Sequence, residues 1–504
     1  MNEAPYQVSP PLAEFLRHAA ATPERIALVS GEDKWSYEAL ARQSSRLASG
    51  LAAQGVTLGE RVALHMENTP EAVLSYLACL RTGAVIVPLN TRFAAPELRD
   101  LVARTRPAVY LGQRDLYERF ASMSQDLLPA SACFLGGGPD CGAAREWESL
   151  LAYGDESAEA QPDPHAPALL LSTSGTTGRS RIVVWSHRTL GALRLSAAGR
   201  GIREGAVVLL MTPMMHASGA YCLLSSSTQG ATVVLVRRFE AASVMDEMER
   251  NGVTTVFALP FMWGELVREQ RASPRDLHLR VAMVGGDRCP ATIEKEFDNV
   301  FGMPLRSCWA ATEEVGATVL CSVAGPYIRL IPQAHAKVVD ANGVPVAPGE
   351  VGELVIRSPT TSPGYWVSAT ELTPLPDGSF ASGDLVRAVE PGLLEYAGRK
   401  KDLIVRGGSN VSPAEVEEVL REHPDIADAA VAGFPDAELG ERVGAVVVPK
   451  TATPAGKEER AIREWMGRRI AAYKAPERIV FVDAVPRNAL TKIDRAAVRA
   501  VLTS

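Results

Sequence analysis

Ser172-Thr173-Ser174-Gly175-Thr176-Thr177-Gly178-Arg179-Ser180-Arg181 lies between two apolar runs, 168–171 and 182–185; the first reads as a buried strand with the loop at its end. Six hydroxyl side chains and two arginines supply donors, and no carboxylate is present. Two glycines let the backbone turn tightly and close on a ligand. A surface of this kind receives an anion, a polyphosphate above all. The Gly-x4-Gly-Lys spacing of the Walker loop is absent. The alternative is a solvated Ser/Gly turn, which seldom sits directly behind an apolar strand.

At 504 residues the chain is longer than one hydrophobic core usually serves, so at least two domains are expected. A hydrophobic content of 46 % with 22 % charged residues is that of an ordinary globular protein. The net charge of −7 leaves no basic excess to displace counterions, which excludes nucleic acid as a general partner. Residues 1–11 are polar and lack the basic-then-apolar order of a secretory signal. The richest apolar stretch, 207–224, is broken by Pro213 and His216 and does not make a membrane span. A cytoplasmic location is the expectation. The seven cysteines are scattered without a Cys-x-x-Cys pair and read as reduced thiols, with no structural zinc.

Outward from the loop, helix and strand patterns alternate. Ser36 caps a helix with Leu40, Leu47 and Leu51 on one face; 61–66 reads as a strand, 71–80 as a helix and 84–88 as a strand. This β-α-β order implies a parallel sheet covered by helices. Short apolar strands recur at 206–211, 231–236, 254–258 and 280–284. After about residue 325, Gly, Pro and Asp clusters punctuate short β-rich pieces. Then Gly398-Arg399-Lys400-Lys401-Asp402 forms a charged link to a compact last unit. There Ser412, Pro413 and Glu415 spell a capping box with proline at the first helical position. The expected fold is α/β, with a large N-terminal region of layered sheets and helices (doubly wound type). A small mobile α+β C-terminal domain follows. The boundaries are 1–397, a hinge at 398–401, and 402–504.

The loop resembles the phosphate loop of the adenylate-forming superfamily, Ser-Gly-Thr-Thr-Gly-x-Pro-Lys-Gly, with Ser180, Arg181 and Ile182 replacing the last three residues. Arg181 keeps the charge of the usual lysine on a planar fork. Further segments resemble the superfamily's motifs in its order. Trp309-Ala310-Ala311-Thr312-Glu313 is similar to its aromatic-Gly-x-Thr-Glu segment, and Ser382-Gly383-Asp384 to its Thr-Gly-Asp. Val284-Gly285-Gly286-Asp287 resembles the adenine turn. Gly398-Arg399-Lys400-Lys401-Asp402-Leu403-Ile404-Val405-Arg406-Gly407-Gly408 resembles the interdomain motif, and Pro486-Arg487-Asn488-Ala489-Leu490-Thr491-Lys492 the terminal one. The resemblance runs over almost the whole chain. Standing alone, each short motif has an ordinary reading: a Thr-Glu pair at a helix start, an aspartate in a turn, a solvated basic run, a surface lysine.

The resemblance implies an AMP-forming carboxylic acid:CoA ligase using ATP, Mg2+ and coenzyme A. Thr173, Ser174, Gly175, Thr176, Thr177, Gly178 and Arg181 would hold phosphates. Gly285, Gly286 and Asp287 would border adenine, with Trp309 stacking on the base. Asp384 would take the ribose hydroxyls and Arg399 the ribose or phosphates, while Thr312 bonds a phosphate and Glu313 holds the metal. Lys492 would be the catalytic lysine, Lys401 the hinge, and Gly407 and Gly408 the passage for the pantetheine arm.

The acyl pocket would draw on Met215, His216, Tyr221, Phe261, Ala310 and Ala311, His216 standing at the carboxylate end or, alternatively, packed as a core histidine. No arginine or lysine belongs to that set, which points to a monocarboxylic, medium-sized aliphatic or aromatic acid. Ala310 adds a methyl group where the family carries glycine, and Thr491 a branched side chain beside the lysine. A stand-alone adenylation enzyme loading a carrier protein, and an inactive ligand-binding relative, are the alternatives.

Overall fold

The computed structural model describes residues 9–124, 126–137, 142–154, 159–173, 181–286, 289–321, 325–406, 409–436, 439–450, 457–488 and 492–504. Period-two apolar patterning builds two large sheets with a shared helical layer between them. The seven-stranded sheet runs Arg306–Cys308, Val281–Gly285, Thr255–Ala258, Val207–Leu210, Thr232–Leu235, Ile26–Ser30, Asp33–Ser36, with every neighbouring pair parallel except the last. The nine-stranded sheet runs Glu371–Pro374, Gly364–Ser368, Arg181–Ser186, Pro167–Thr173, Val85–Pro88, Arg61–His65, Val109–Gln113, Cys133–Gly136, Arg145–Glu146.

Alternation along each strand splits the core into layers. Val208 and Leu210 face Leu169, Leu171 and Val183 of the other sheet through the helices Tyr37–Ala53 and Pro70–Thr82. Leu209 points the opposite way to the helices Ala241–Arg250, Pro260–Ala272 and Ala291–Phe301. Leu170, Ile182 and Val184 meet Leu98, Leu101 and Phe120 on the far side of the nine-stranded sheet. Pro70–Thr82 is buried from Ala72 onward because both sheets cover it. The expected α/β layering is thus realised.

Ser36 accepts a hydrogen bond from Ala39 N, as a cap should. Pro167–Thr173 and Arg181–Ser186 pair antiparallel with Thr173 opposite Arg181, so the hydroxyl-rich loop joins a hairpin; its residues 174–180 lie outside the described residues. Five of the strands after residue 325 join Thr318–Val319 in a six-stranded antiparallel sheet, in the order Thr318–Val319, Tyr327–Leu330, Leu393–Arg399, Phe380–Glu390, Val351–Arg357, His335–Val339.

The C-terminal sheet centres on Gly440–Pro449, flanked by Ile426–Asp436, Ile404–Arg406 and Arg478–Phe481. Val416, Leu420, Ile462 and Met466 cover one face and Val498 and Leu502 the other. The capping box at Ser412 is not formed. The helix Pro413–Arg421 starts there, but the Ser412 hydroxyl donates to Ala397 O at 3.2 Å and Glu415 pairs with Lys474. The hydroxyl ties the helix to the preceding strand instead of to its own backbone. Among the described residues no helix is long and apolar enough to cross a membrane.

Candidate active site

Ligands of parallel sheets gather beyond the carboxyl ends of the strands. Four such ends of the seven-stranded sheet carry expected site residues: Met215 and His216 after Val207–Leu210, Phe261 after Thr255–Ala258, Gly285 and Gly286 at the end of Val281–Gly285, and Trp309 to Glu313 after Arg306–Cys308. Gly285 is required by packing, since a Cβ there would stand 2.5 Å from Cys308 O. Gly219 is required likewise, because its Cβ would meet Pro213 O at 2.2 Å where the chain turns into the helix Ala217–Gln229.

The segment bearing His216 is pinned from below. Asn68, buried, donates to Leu210 O, Thr212 O and Val236 O and accepts from Met214 N at 2.9 Å. Tyr76 OH donates to Met214 O at 2.7 Å, and the Met215 sulfur accepts from Thr91 N. His216 is the N-cap of Ala217–Gln229, and its imidazole is pulled down to about 4, by burial first and then by the cations Arg92 and Lys492. It is therefore neutral at pH 7. Lys492, far along the chain, thus lies within electrostatic reach of His216. Phe261 packs edge-to-face on Phe239, with ring centroids 5.8 Å apart.

A second group converges from the antiparallel sheet. Asp384, buried, takes Trp309 Nε1 on one carboxylate oxygen at 2.8 Å and Arg399 Nε on the other at 2.9 Å. Each oxygen keeps a further lone pair for a hydroxyl. Thr312 O accepts from Trp185 Nε1 at 2.8 Å, and Glu313 accepts from the Tyr365 hydroxyl at 3.0 Å. Arg181 stacks over the Tyr365 ring, its Cζ 5.1 Å from the centroid, with Nη1 3.4 Å from the hydroxyl. Burial raises the Glu313 carboxyl above its usual range, against Tyr365, Arg181 and Arg399, which lower it. Burial and Glu313 push the Tyr365 phenol to about 12, so it remains a donor. Glu314, next in sequence, turns inward to Ser358, Thr360 and Thr361.

Thr173 ends its strand with Oγ1 3.4 Å from Arg181 O. Ala310 is exposed, Ala311 partly buried, and Lys401 exposed in the turn Lys400–Asp402. Asp287, Gly407 and Gly408, like Ser174, Gly175, Thr176, Thr177 and Gly178, lie outside the described residues. Two side chains escaped the sequence reading. Tyr365 bridges Arg181 and Glu313; the Gly-Tyr-Trp run on a strand amid turn-rich sequence was its only signal. Arg200, buried, extends over Tyr221 with its Cζ 4.5 Å from the ring centroid. Tyr221, expected in the acyl pocket, hydrogen-bonds Ser196 through its hydroxyl at 2.8 Å.

Two sheets rich in parallel pairs, a third, antiparallel sheet that holds Asp384 between Trp309 and Arg399, and a small C-terminal sheet make up the architecture. The chain belongs to the AMP-binding enzyme family of the adenylate-forming superfamily. That family matches residues 15–366, and the AMP-binding enzyme C-terminal domain matches 415–492. Indoleacetate–CoA ligase of Aromatoleum aromaticum is 32 % identical over 97 % of each chain. Fatty acid–[acyl-carrier-protein] ligase ScoC of Streptomyces coeruleorubidus is 30 % identical over 96 % of this chain and 94 % of its own. The crystal structure of anthranilate CoA ligase AuaEII in complex with anthranoyl-AMP shares the fold, with a TM-score of 0.90 at 23 % identity over 98 % of each chain. The protein is accordingly an AMP-forming, acid-activating enzyme.

Proposed function

We propose that the protein is a carboxylic acid:CoA ligase, located in the cytoplasm and acting on a medium-sized aliphatic or aromatic acid. The observation that supports this reading is the buried carboxylate of Asp384, held by Trp309 Nε1 and Arg399 Nε, together with a lysine, Lys492, whose charge reaches His216. A lysine so placed faces the charge that develops when a carboxylate oxygen bonds to the α-phosphorus of ATP and the bond to pyrophosphate breaks. Such displacement depends on positioning and charge neutralisation, which suits a site rich in donors and without a nucleophile triad. Neutral His216 would orient the acid's carboxylate, Asp384 the ribose, and Arg181 and the hydroxyl loop the phosphates.

Among the described residues no three His, Cys, Asp or Glu side chains form a metal cage. A lone carboxylate at Glu313 beside Arg181 and Arg399 fits Mg2+ carried on phosphate oxygens, where the ion supplies charge neutralisation. In the second half-reaction the CoA sulfur bonds to the acyl carbon, its proton passes to solvent, and AMP leaves. The segment from residue 402 would turn about Lys401 to withdraw Lys492 and bring Gly407 and Gly408 over the adenylate.

The likeness to ScoC favours one alternative, transfer to a carrier protein. The test is pyrophosphate release with ATP, Mg2+ and a panel of acids, followed by addition of CoA or a carrier protein. Acid-dependent pyrophosphate and a CoA thioester are expected. No pyrophosphate with any acid would identify an inactive ligand-binding relative, and a thioester on the carrier alone would reassign the acceptor.

A further inference from the structure

Arg200 ends the helical stretch that precedes Val207–Leu210 and is only 4 % exposed. Its Nε donates to Thr318 O at 3.0 Å and Nη2 to Thr318 Oγ1 at 2.9 Å. Thr318 Oγ1 passes the bond on to Trp309 O at 2.7 Å. One face of the guanidinium lies on the Tyr221 ring. These bonds engage Nε and Nη2, the Tyr221 hydroxyl adds a side-chain hydrogen bond, and among the described residues no ion pair with a carboxylate is formed. The through-space influence of Glu314 reaches it, but that carboxylate is already bonded to three hydroxyls. A buried cation normally keeps an ionic partner, because an uncompensated charge in low dielectric is costly. This one stays protonated, because an arginine is not deprotonated in proteins.

The position of Arg200 supplies the meaning. It touches Tyr221, five residues after the N-cap His216, and through the Thr318 hydroxyl it reaches Trp309 O. Those two segments flank the expected acyl pocket, His216 at the end where the carboxylate is adenylated and Tyr221 farther along the helix. Resting on the proposed acid-activating function, we propose that Arg200 is a specificity residue: it receives an oxygen acceptor of the substrate, a second carboxylate or a hydroxyl, remote from the reacting carboxylate. The remaining N–H groups of its fork are suited to such an oxygen. This sets aside the expectation of a purely apolar pocket for a simple monocarboxylic acid.

The test compares two ladders of acids in pyrophosphate release: benzoate, 4-hydroxybenzoate and terephthalate; hexanoate, 6-hydroxyhexanoate and adipate. The wild-type enzyme is expected to favour an oxygen-bearing member over its parent by roughly 10–150-fold in kcat/KM, the range of a hydrogen bond to a charged group. The preferred rung distinguishes carboxylate from hydroxyl. Arg200→Met should erase or invert that preference, and Arg200→Lys should restore part of it. A purely structural Arg200 predicts a uniform loss on every rung, which would overturn the proposal. So would a wild-type preference for benzoate and hexanoate, a result that needs no variant to fold. Absence of pyrophosphate with all six acids would remove the acid-activating function itself, and the proposal with it.

Discussion

Glu313 and Glu314 are neighbours in sequence and opposites in environment. Glu313 is partly buried, with one hydrogen bond from Tyr365 and two arginines within electrostatic range. Glu314 is fully buried, accepting from the hydroxyls of Ser358, Thr360 and Thr361, and its backbone bridges Ala311 and Thr361. Burial raises both carboxyls. What separates them is satisfaction: Glu314 is saturated by the protein, and Glu313 keeps capacity for a ligand. In a Thr-Glu-Glu string the saturated acid reads as structural and its neighbour as the proposed metal holder, and side-chain partners distinguish them.

Substitutions can break that distinction. Glu314→Ala strands three hydroxyls and is expected to cost about 3–5 kcal/mol in chemical denaturation, the scale of breaking a buried charged network. A loss under about 1 kcal/mol would place Glu314 outside the stabilising framework. Glu313→Gln should leave the denaturation midpoint nearly unchanged and lower the rate of pyrophosphate release by ~10²–10³. If the two variants exchanged phenotypes, the assignment of roles would be reversed.

The same contrast extends to histidines. His65 and His187 are fully buried, each with a single partner, Tyr110 or Ser9, and burial pulls them down to about 3 and about 4. Below pH 6.5 the unfolded chain protonates them and the folded one does not, so stability falls as pH drops from 6.5 towards 4. The expected loss is about 2 kcal/mol per histidine at pH 5. Denaturation at pH 7.5, 6 and 5 reads the slope, and His187→Gln should flatten it; identical slopes would contradict the burial argument. The smallest effect belongs to Ala310→Gly. Removing the methyl should shift preference towards larger acids by roughly 10-fold, within the ~10–200-fold range of a methylene-scale change. An unchanged ranking by size would place Ala310 outside the pocket.

Much of this was readable from residues alone where the signal is local. Ser36 and the Leu40–Leu47–Leu51 spacing specify the helix Tyr37–Ala53, and apolar runs bounded by glycine specify the strands whose ends carry the site. Signals failed where a distant partner decides. The Ser412 hydroxyl is claimed by Ala397 O, a carbonyl in another element, so a sound local capping pattern is overridden. Arg200 belongs to no motif; its burial is set by Thr318 and Tyr221, which only the tertiary fold brings to it. Tyr365 similarly gains its meaning from Arg181 and Glu313. The motifs point to the proposed nucleotide site, and packing sets the surroundings of Tyr221 and Arg200.

The central claim is that Lys492 acts in adenylation and is withdrawn for thioester formation. Lys492→Ala, assayed separately in the two half-reactions, tests it most directly. Pyrophosphate release from ATP and acid should fall by ~10²–10³, while CoA attack on supplied acyl-AMP keeps its wild-type rate. Equal losses in both half-reactions, or none in the first, would contradict the account.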